Sequence, residues 1–129
     1  MGINPWLASL LIGVGGACGA NLRYWLSSWI KSQTWGKDFF WGTLIVNITG
    51  SILLGVVAGY FRDRTGYWFL LLGTGFCGGY TTFSTFSLEV TEAMKENRPM
   101  DALLYMTASV VGGFLGFLMA WMAFAKGDG

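Results

Sequence analysis

Apolar residues run along the chain in four long stretches, and charge marks where each one stops. The stretches cover roughly Pro5 to Ile30, Phe39 to Phe61, Tyr67 to Val90 and Ala102 to Ala125. Between them lie Lys31, Lys37 and Asp38, then Arg62, Asp63 and Arg64, then Glu92, Lys95, Glu96, Arg98 and Asp101. A helix needs about 20 mostly apolar residues to cross a bilayer, and each stretch supplies that length. The pattern predicts four membrane-spanning helices joined by short polar loops. Trp6, Trp29, Trp35, Trp41, Tyr60, Tyr67, Trp68 and Trp121 gather near the predicted ends, where amphipathic rings favour the interface.

The third stretch is not a plain span. Within it Gly75 to Glu89 reads GFCGGYTTFSTFSLE: two glycines at mid-span, then phenylalanines alternating with five hydroxyl residues. An unwound turn at Gly78 and Gly79 frees N–H and C=O groups at bilayer depth, which is tolerated only where protein, water or an ion satisfies them. Freed carbonyls favour a small cation, and the N-terminus of the half-helix that follows favours an anion. Phe83 and Phe86, three apart, share a side of that half-helix, with hydroxyls flanking them. A phenyl ring carries a positive edge, so inward ring edges and hydroxyl donors together can hold an anion without a buried cation. Weak donors suit flux, because conduction requires leaving as well as entering. The plainer alternative is aromatic packing with hydroxyls bonded to their own backbone.

Polar residues recur at helical spacing in two other spans. Thr43, Asn47 and Ser51 stack on one face of the second, where Asn47 either ties helices together or faces a polar path. Tyr105 and Ser109 repeat the spacing in the fourth, so the two polar faces can meet. Arg23 lies late in the first span and is expected to snorkel or to line an aqueous entrance. Glu89 ends the broken span and is expected near the opposite interface. Gly15 and Gly19, Gly55 and Gly59, Gly75 and Gly79, and Gly112 and Gly116 are spaced four apart, which lets helix backbones approach closely.

Composition agrees with a membrane as solvent. Of 129 residues, 53% are hydrophobic and 12% charged, enough for one domain, residues 1–129. Eight basic and seven acidic residues nearly cancel, so no long-range field recruits nucleic acid. Histidine is absent, and Cys18 and Cys77 lie in apolar stretches, which leaves few ligands for zinc or haem and no triad for nucleophilic catalysis. Gly16 to Ala20 could pass for a signal-peptide cleavage site, but no Lys or Arg precedes residue 23, so the stretch is read as the first span. Arg62, Arg64 and Lys126 face one side of the membrane; Lys31, Lys37, Lys95 and Arg98 face the other, with Arg23 deeper. So small a bias allows insertion in both orientations, and two opposed copies can then pair about a twofold axis in the membrane plane.

With GGACGANLRY in the first span, GTLIVNITGS in the second and GFCGGYTTFSTFS in the third, the chain resembles the Fluc (CrcB) family of fluoride channels over essentially its whole length. The resemblance implies an all-α integral membrane protein of four transmembrane helices, the third broken near mid-span. It implies an antiparallel, dual-topology homodimer in the cytoplasmic membrane, with two pores that export fluoride passively and no catalytic residues. By position, Phe83 and Phe86 match the pore phenylalanines, Asn47 the pore asparagine, and Ser84 and Thr85 the hydroxyl track. Tyr105 and Ser109 are assigned to the pore lining of the fourth span, where Gly112 and Gly113 stand in place of further hydroxyls. Arg23 matches the vestibule arginine. The break matches a central structural sodium site, with the carbonyls of Gly78 and Thr81 contributed by both subunits. Two rival readings are a proton-coupled small multidrug transporter, which wants an acidic residue in the first span where none exists, and a non-transporting assembly subunit, which leaves the broken third span unexplained.

Overall fold

Asn4 opens the first helix by accepting a hydrogen bond from the Trp6 N–H at 2.8 Å, with Pro5 at the first helical position, where its missing N–H costs nothing. The computed structural model describes residues 2–125, and Lys126, counted above among the loop charges, lies outside them. Helix α1 spans Pro5–Ser32 and α2 spans Trp41–Tyr60. The third crossing is made of three pieces: a π-helical segment Phe69–Cys77, a single turn α3 (Gly78–Tyr80), and α4 (Phe83–Lys95). Helix α5 spans Pro99–Phe124. No strand occurs among the described residues.

By length and composition α1, α2 and α5 can each cross a membrane. At 1.5 Å per residue the 28 residues of α1 reach about 42 Å, beyond the roughly 30 Å hydrocarbon layer. The third crossing achieves its span only as a composite. Its last part, α4, runs past the expected end at Val90 to Lys95, so Glu92 and Lys95 belong to a helix and not to a loop. A tight turn then reverses the chain. Asn97 adopts a left-handed φ of 60°, a conformation asparagine tolerates better than most residues. Arg98 N–H bonds to Ala93 O at 2.8 Å and Asn97 N–H to Met94 O at 3.3 Å. That pair of bonds satisfies the last carbonyls of α4, and Pro99 starts α5 at once.

Glycines decide which helices touch. A Cβ on Gly15 would strike Leu71 O, one on Gly19 would strike Phe76 O, and one on Gly79 would strike Gly16 O, so α1 and the first half of the third crossing meet backbone to backbone. On the other side of the bundle, Gly55 lies against Phe117 O and Gly59 against Trp121 O. The side chains of Ile48 and Ile52 fill the space over Gly112 and Gly116. All four small pairs thus sit at helix contacts: α1 pairs with the π-helical segment and α3, while α2 pairs with α5. Large apolar residues on the outer faces stay exposed, among them Trp6, Val110, Phe114 and Met119. Such exposure is ordinary against lipid and untenable against water.

Candidate functional site

The helix break falls where the hydroxyl residues are, not where the glycines are. Gly78 is helical (φ −62°, ψ −38°), and the chain extends only at Thr81 (φ −86°, ψ 156°) and Thr82 (φ −148°, ψ 117°). The expectation of an unwound turn at Gly78 and Gly79 is therefore corrected by two to three residues. Gly79 is committed to close packing on Gly16, which a regular helix achieves. Thr81 and Thr82 can leave the helix because their side chains replace lost backbone partners. Thr81 Oγ1 donates to Cys77 O at 2.9 Å. Thr82 Oγ1 caps α4 by accepting from the Thr85 N–H at 3.1 Å.

Asn47 holds the break open. Its Oδ1 accepts from the Thr82 N–H at 2.7 Å and its Nδ2 donates to Thr82 O at 3.0 Å, so one side-chain amide stands in for a backbone partner. The other amide hydrogen remains for a further acceptor. Arg23 Nε donates to Gly79 O at 3.1 Å, placing a guanidinium at the negative end of the short helix. Arg23 thus does not stand free. Because Thr82 N–H and Thr85 N–H are taken by side chains, the Gly78 and Thr81 carbonyls lack the donors a continuous helix would give them. Gly78 is exposed on the surface of the chain.

Beside the break lies a cavity of about 340 Å³ whose lining includes Asn47, Thr81, Thr82, Phe83, Phe86 and Ser109. No charged side chain lines it among the described residues. The polar faces of α2 and α5 do meet here, through Asn47 and Ser51 on one and Ser109 on the other. Ser109 Oγ is buried and has no hydrogen-bond partner among the described residues. A buried hydroxyl left unsatisfied costs about 1–3 kcal/mol. The Phe83 and Phe86 rings lie 5.7 Å apart, tilted by 40°.

One helical turn from Ser109, the track ends in a cluster that sequence reading missed. Tyr105, fully buried, donates to Glu89 Oε2 at 2.7 Å, and Thr43 Oγ1 donates to Glu89 Oε1 at 2.9 Å. Phe86 meets the Tyr105 ring edge to face at 5.0 Å and 84°, and Phe40 stacks on its other side at 4.8 Å. Because α4 continues to Lys95, Glu89 sits inside the bundle, 5% exposed. Beyond the cluster, toward the loops, opens a second cavity of about 300 Å³ lined by Lys31, Lys37, Phe40, Glu89, Glu92 and Arg98. Arg98 is held there by Asp101, Glu96 and the Asp38 carbonyl. Its hydrogen bond to Asp101 raises its pKa further.

The structure brings Asn47, Phe83, Phe86, Thr81, Gly78 and Ser109 to one cavity, with Tyr105 adjoining it through Phe86. It does not bring Ser84 and Thr85 there. Their hydroxyls gather on Thr82 Oγ1, each at 3.2 Å, as part of the α4 cap. The residues missed are Thr82, whose capping role follows from an Oγ three residues before an N–H, and the Thr43–Glu89 pair. The signal for that pair was present: Thr43 shares a face with Asn47, and a carboxylate in an apolar stretch needs donors.

Comparison with known proteins places this geometry in context. Residues 10–123 match the family model described as CrcB-like protein, Camphor Resistance (CrcB). A protein of Clostridium acetobutylicum named fluoride-specific ion channel FluC 2 is 42% identical over 111 residues, covering 84% of this chain and 91% of the relative. The fluoride-specific ion channel FluC of Erythrobacter litoralis is 44% identical over 116 residues, 84% of this chain and 85% of its own. That of Leptospira interrogans serogroup Icterohaemorrhagiae serovar copenhageni is 45% identical over 119 residues, covering 88% and 91%.

Proposed function

We propose, from the premise that this chain belongs to the CrcB-like family, that it is a membrane channel for fluoride and not an enzyme. The observation that carries the reading is the partnerless buried Ser109 hydroxyl beside the Asn47 amide and the Phe86 ring, in a cavity without charged lining. Each of these groups offers a positive end to an anion: an O–H, the spare N–H of an amide, and the rim of a phenyl ring. None carries a full charge. A small anion that sheds its water here meets several moderate attractions, so it is bound weakly enough to leave. Tyr105 lies one turn further, its hydroxyl donated to Glu89, with the loop-end cavity beyond it.

Two chains pair in opposite orientations, and each pair carries two such paths across the cytoplasmic membrane, giving passive efflux of cytoplasmic fluoride. Support for pairing comes from the exposed position of Gly78 beside the break. The Gly78 and Thr81 carbonyls, deprived of helical donors, suit a hard cation such as sodium. Shared with the same carbonyls of a second copy, that ion would supply a fixed positive charge that locks the two breaks together. The chain's own contribution is to present the oxygens: Asn47 keeps Thr82 extended, and Arg23 satisfies the neighbouring Gly79 carbonyl.

The test is halide efflux from liposomes containing the purified protein. Fluoride should leave rapidly and chloride slowly, and equal rates would defeat the selectivity claim. Phe86→Ile keeps bulk but removes the positive ring edge, so fluoride flux should collapse while the protein stays folded; unchanged flux would take the ring out of the path. Reporters fused at the C-terminus should be active on both sides of the membrane, and a one-sided signal would remove dual insertion.

A further inference from the structure

The loop-end cavity poses an electrostatic difficulty for an anion path. An anion passing Tyr105 moves beside the Glu89 carboxylate, which already holds the hydroxyls of Tyr105 and Thr43. A carboxylate there repels the ion it adjoins, and low local dielectric strengthens the repulsion. The cavity answers with three cations, Lys31, Lys37 and Arg98, against two carboxylates, Glu89 and Glu92, a net charge of +1. Their roles differ. Arg98 is committed to Asp101, Glu96 and the Asp38 carbonyl. Lys31, at the last turn of α1, places Nζ 3.8 Å from Glu89 Oε1. Its side chain is 62% exposed while that of Glu89 is 7% exposed, so the pair spans the boundary between water and the buried cluster.

We propose that Lys31 is a throughput-determining residue of the path. By standing on the water side of Glu89 it cancels the carboxylate's field in the loop-end cavity, so that this mouth no longer repels anions. The inference rests on the anion-channel reading given above. It adds that the buried carboxylate is compatible with anion passage only because a solvent-facing cation is paired with it. Lys31 acts through charge and needs no contact with a dehydrated ion, so arginine serves as well as lysine.

The experiment is fluoride efflux from liposomes at low and high ionic strength, the osmolarity held constant with sucrose, for the unmodified protein and for Lys31→Arg, Lys31→Gln and Lys31→Glu. Exposed as it is, position 31 tolerates these changes without loss of the fold. Lys31→Arg should remain near the unmodified rate. Lys31→Gln should slow efflux by about tenfold at low ionic strength, the effect of one uncompensated charge beside the path. Lys31→Glu should be slower still. Both deficits should shrink at high salt, because exposed charges are screened. A Lys31→Gln rate equal to that of the unmodified protein would overturn the proposal, and so would a deficit that Lys31→Arg shares or that salt leaves unchanged. In either case the unmodified protein still releases fluoride and the channel reading stands. Absence of fluoride release from the unmodified protein would instead remove that reading and this one together.

Discussion

Replacing Asn47 by leucine tests how the break is maintained. Leucine keeps the branching of asparagine but abolishes both hydrogen bonds to Thr82, one of 2.7 Å and one of 3.0 Å. Hydrogen bonds between membrane helices are worth about 1 kcal/mol each, so the pair accounts for roughly 2 kcal/mol. The Thr82 N–H has no other acceptor in the half-buried cavity wall, which adds to the loss and does not offset it. A change of that size lowers the folded-to-unfolded ratio by about thirtyfold. Thr49→Val is the control. Its hydroxyl meets Tyr80 at 2.8 Å but also bonds to Ile45 O in its own helix, so removing it should cost about 0.6 kcal/mol or less. Reversible unfolding in mixed micelles, followed through the seven tryptophans, measures both. If Asn47→Leu were to differ from the unmodified protein by less than about 0.5 kcal/mol, within the scatter of such measurements, the amide would not be what holds Thr81 and Thr82 out of the helix.

Other expectations follow from the same contacts. Gly79→Ala should abolish correctly folded protein on size-exclusion chromatography, because the new methyl meets Gly16 O, a backbone atom, whereas Gly13→Ala, with nothing within 4 Å, should behave as the parent does. Ser109→Ala removes a buried hydroxyl that no protein group satisfies, so stability should hold or rise by about 1 kcal/mol while fluoride efflux falls; lost stability with normal efflux would contradict the assignment. In the loop after α2, hydrogen bonds from the Thr65 hydroxyl and N–H hold the Asp63 carboxyl below its ordinary value of 3.8. The folded pKa being depressed, the stabilisation is complete above that value and is lost as pH falls through the lowered one. A carboxyl titration followed by NMR should place the Asp63 midpoint under 3.8, and a higher midpoint would mean the turn does not persist in solution.

The sequence foretold some elements well because their causes are local. The first helix starts at Pro5, where its apolar stretch begins, and an apolar run of sufficient length continues it whatever lies nearby. The third crossing was harder to read. Gly78 and Gly79 advertised a break, since glycine is a poor helix former, yet Gly79 is helical because Gly16 lies against it. The hydroxyls of Thr81 and Thr82, on the cavity wall, terminate one helix and cap the next. Ser84 and Thr85 were drawn into that cap, away from the cavity. Glu89 was expected to end the broken span, but α4 runs on to Lys95 and leaves it inside the bundle.

What the sequence by itself determined is the part governed by solvent and period: a helical membrane protein, its approximate crossings, the glycine faces along which helices meet, and the motifs that tie it to its family. Each depends on residues within a few turns of one another. Only the tertiary structure decided where the third helix parts, which oxygens it leaves without donors, and that Thr43, Glu89 and Tyr105 share one buried cluster. Those outcomes depend on partners 16 to 46 residues apart, and a side chain with several possible bonds takes whichever partner the packing of the bundle brings within reach.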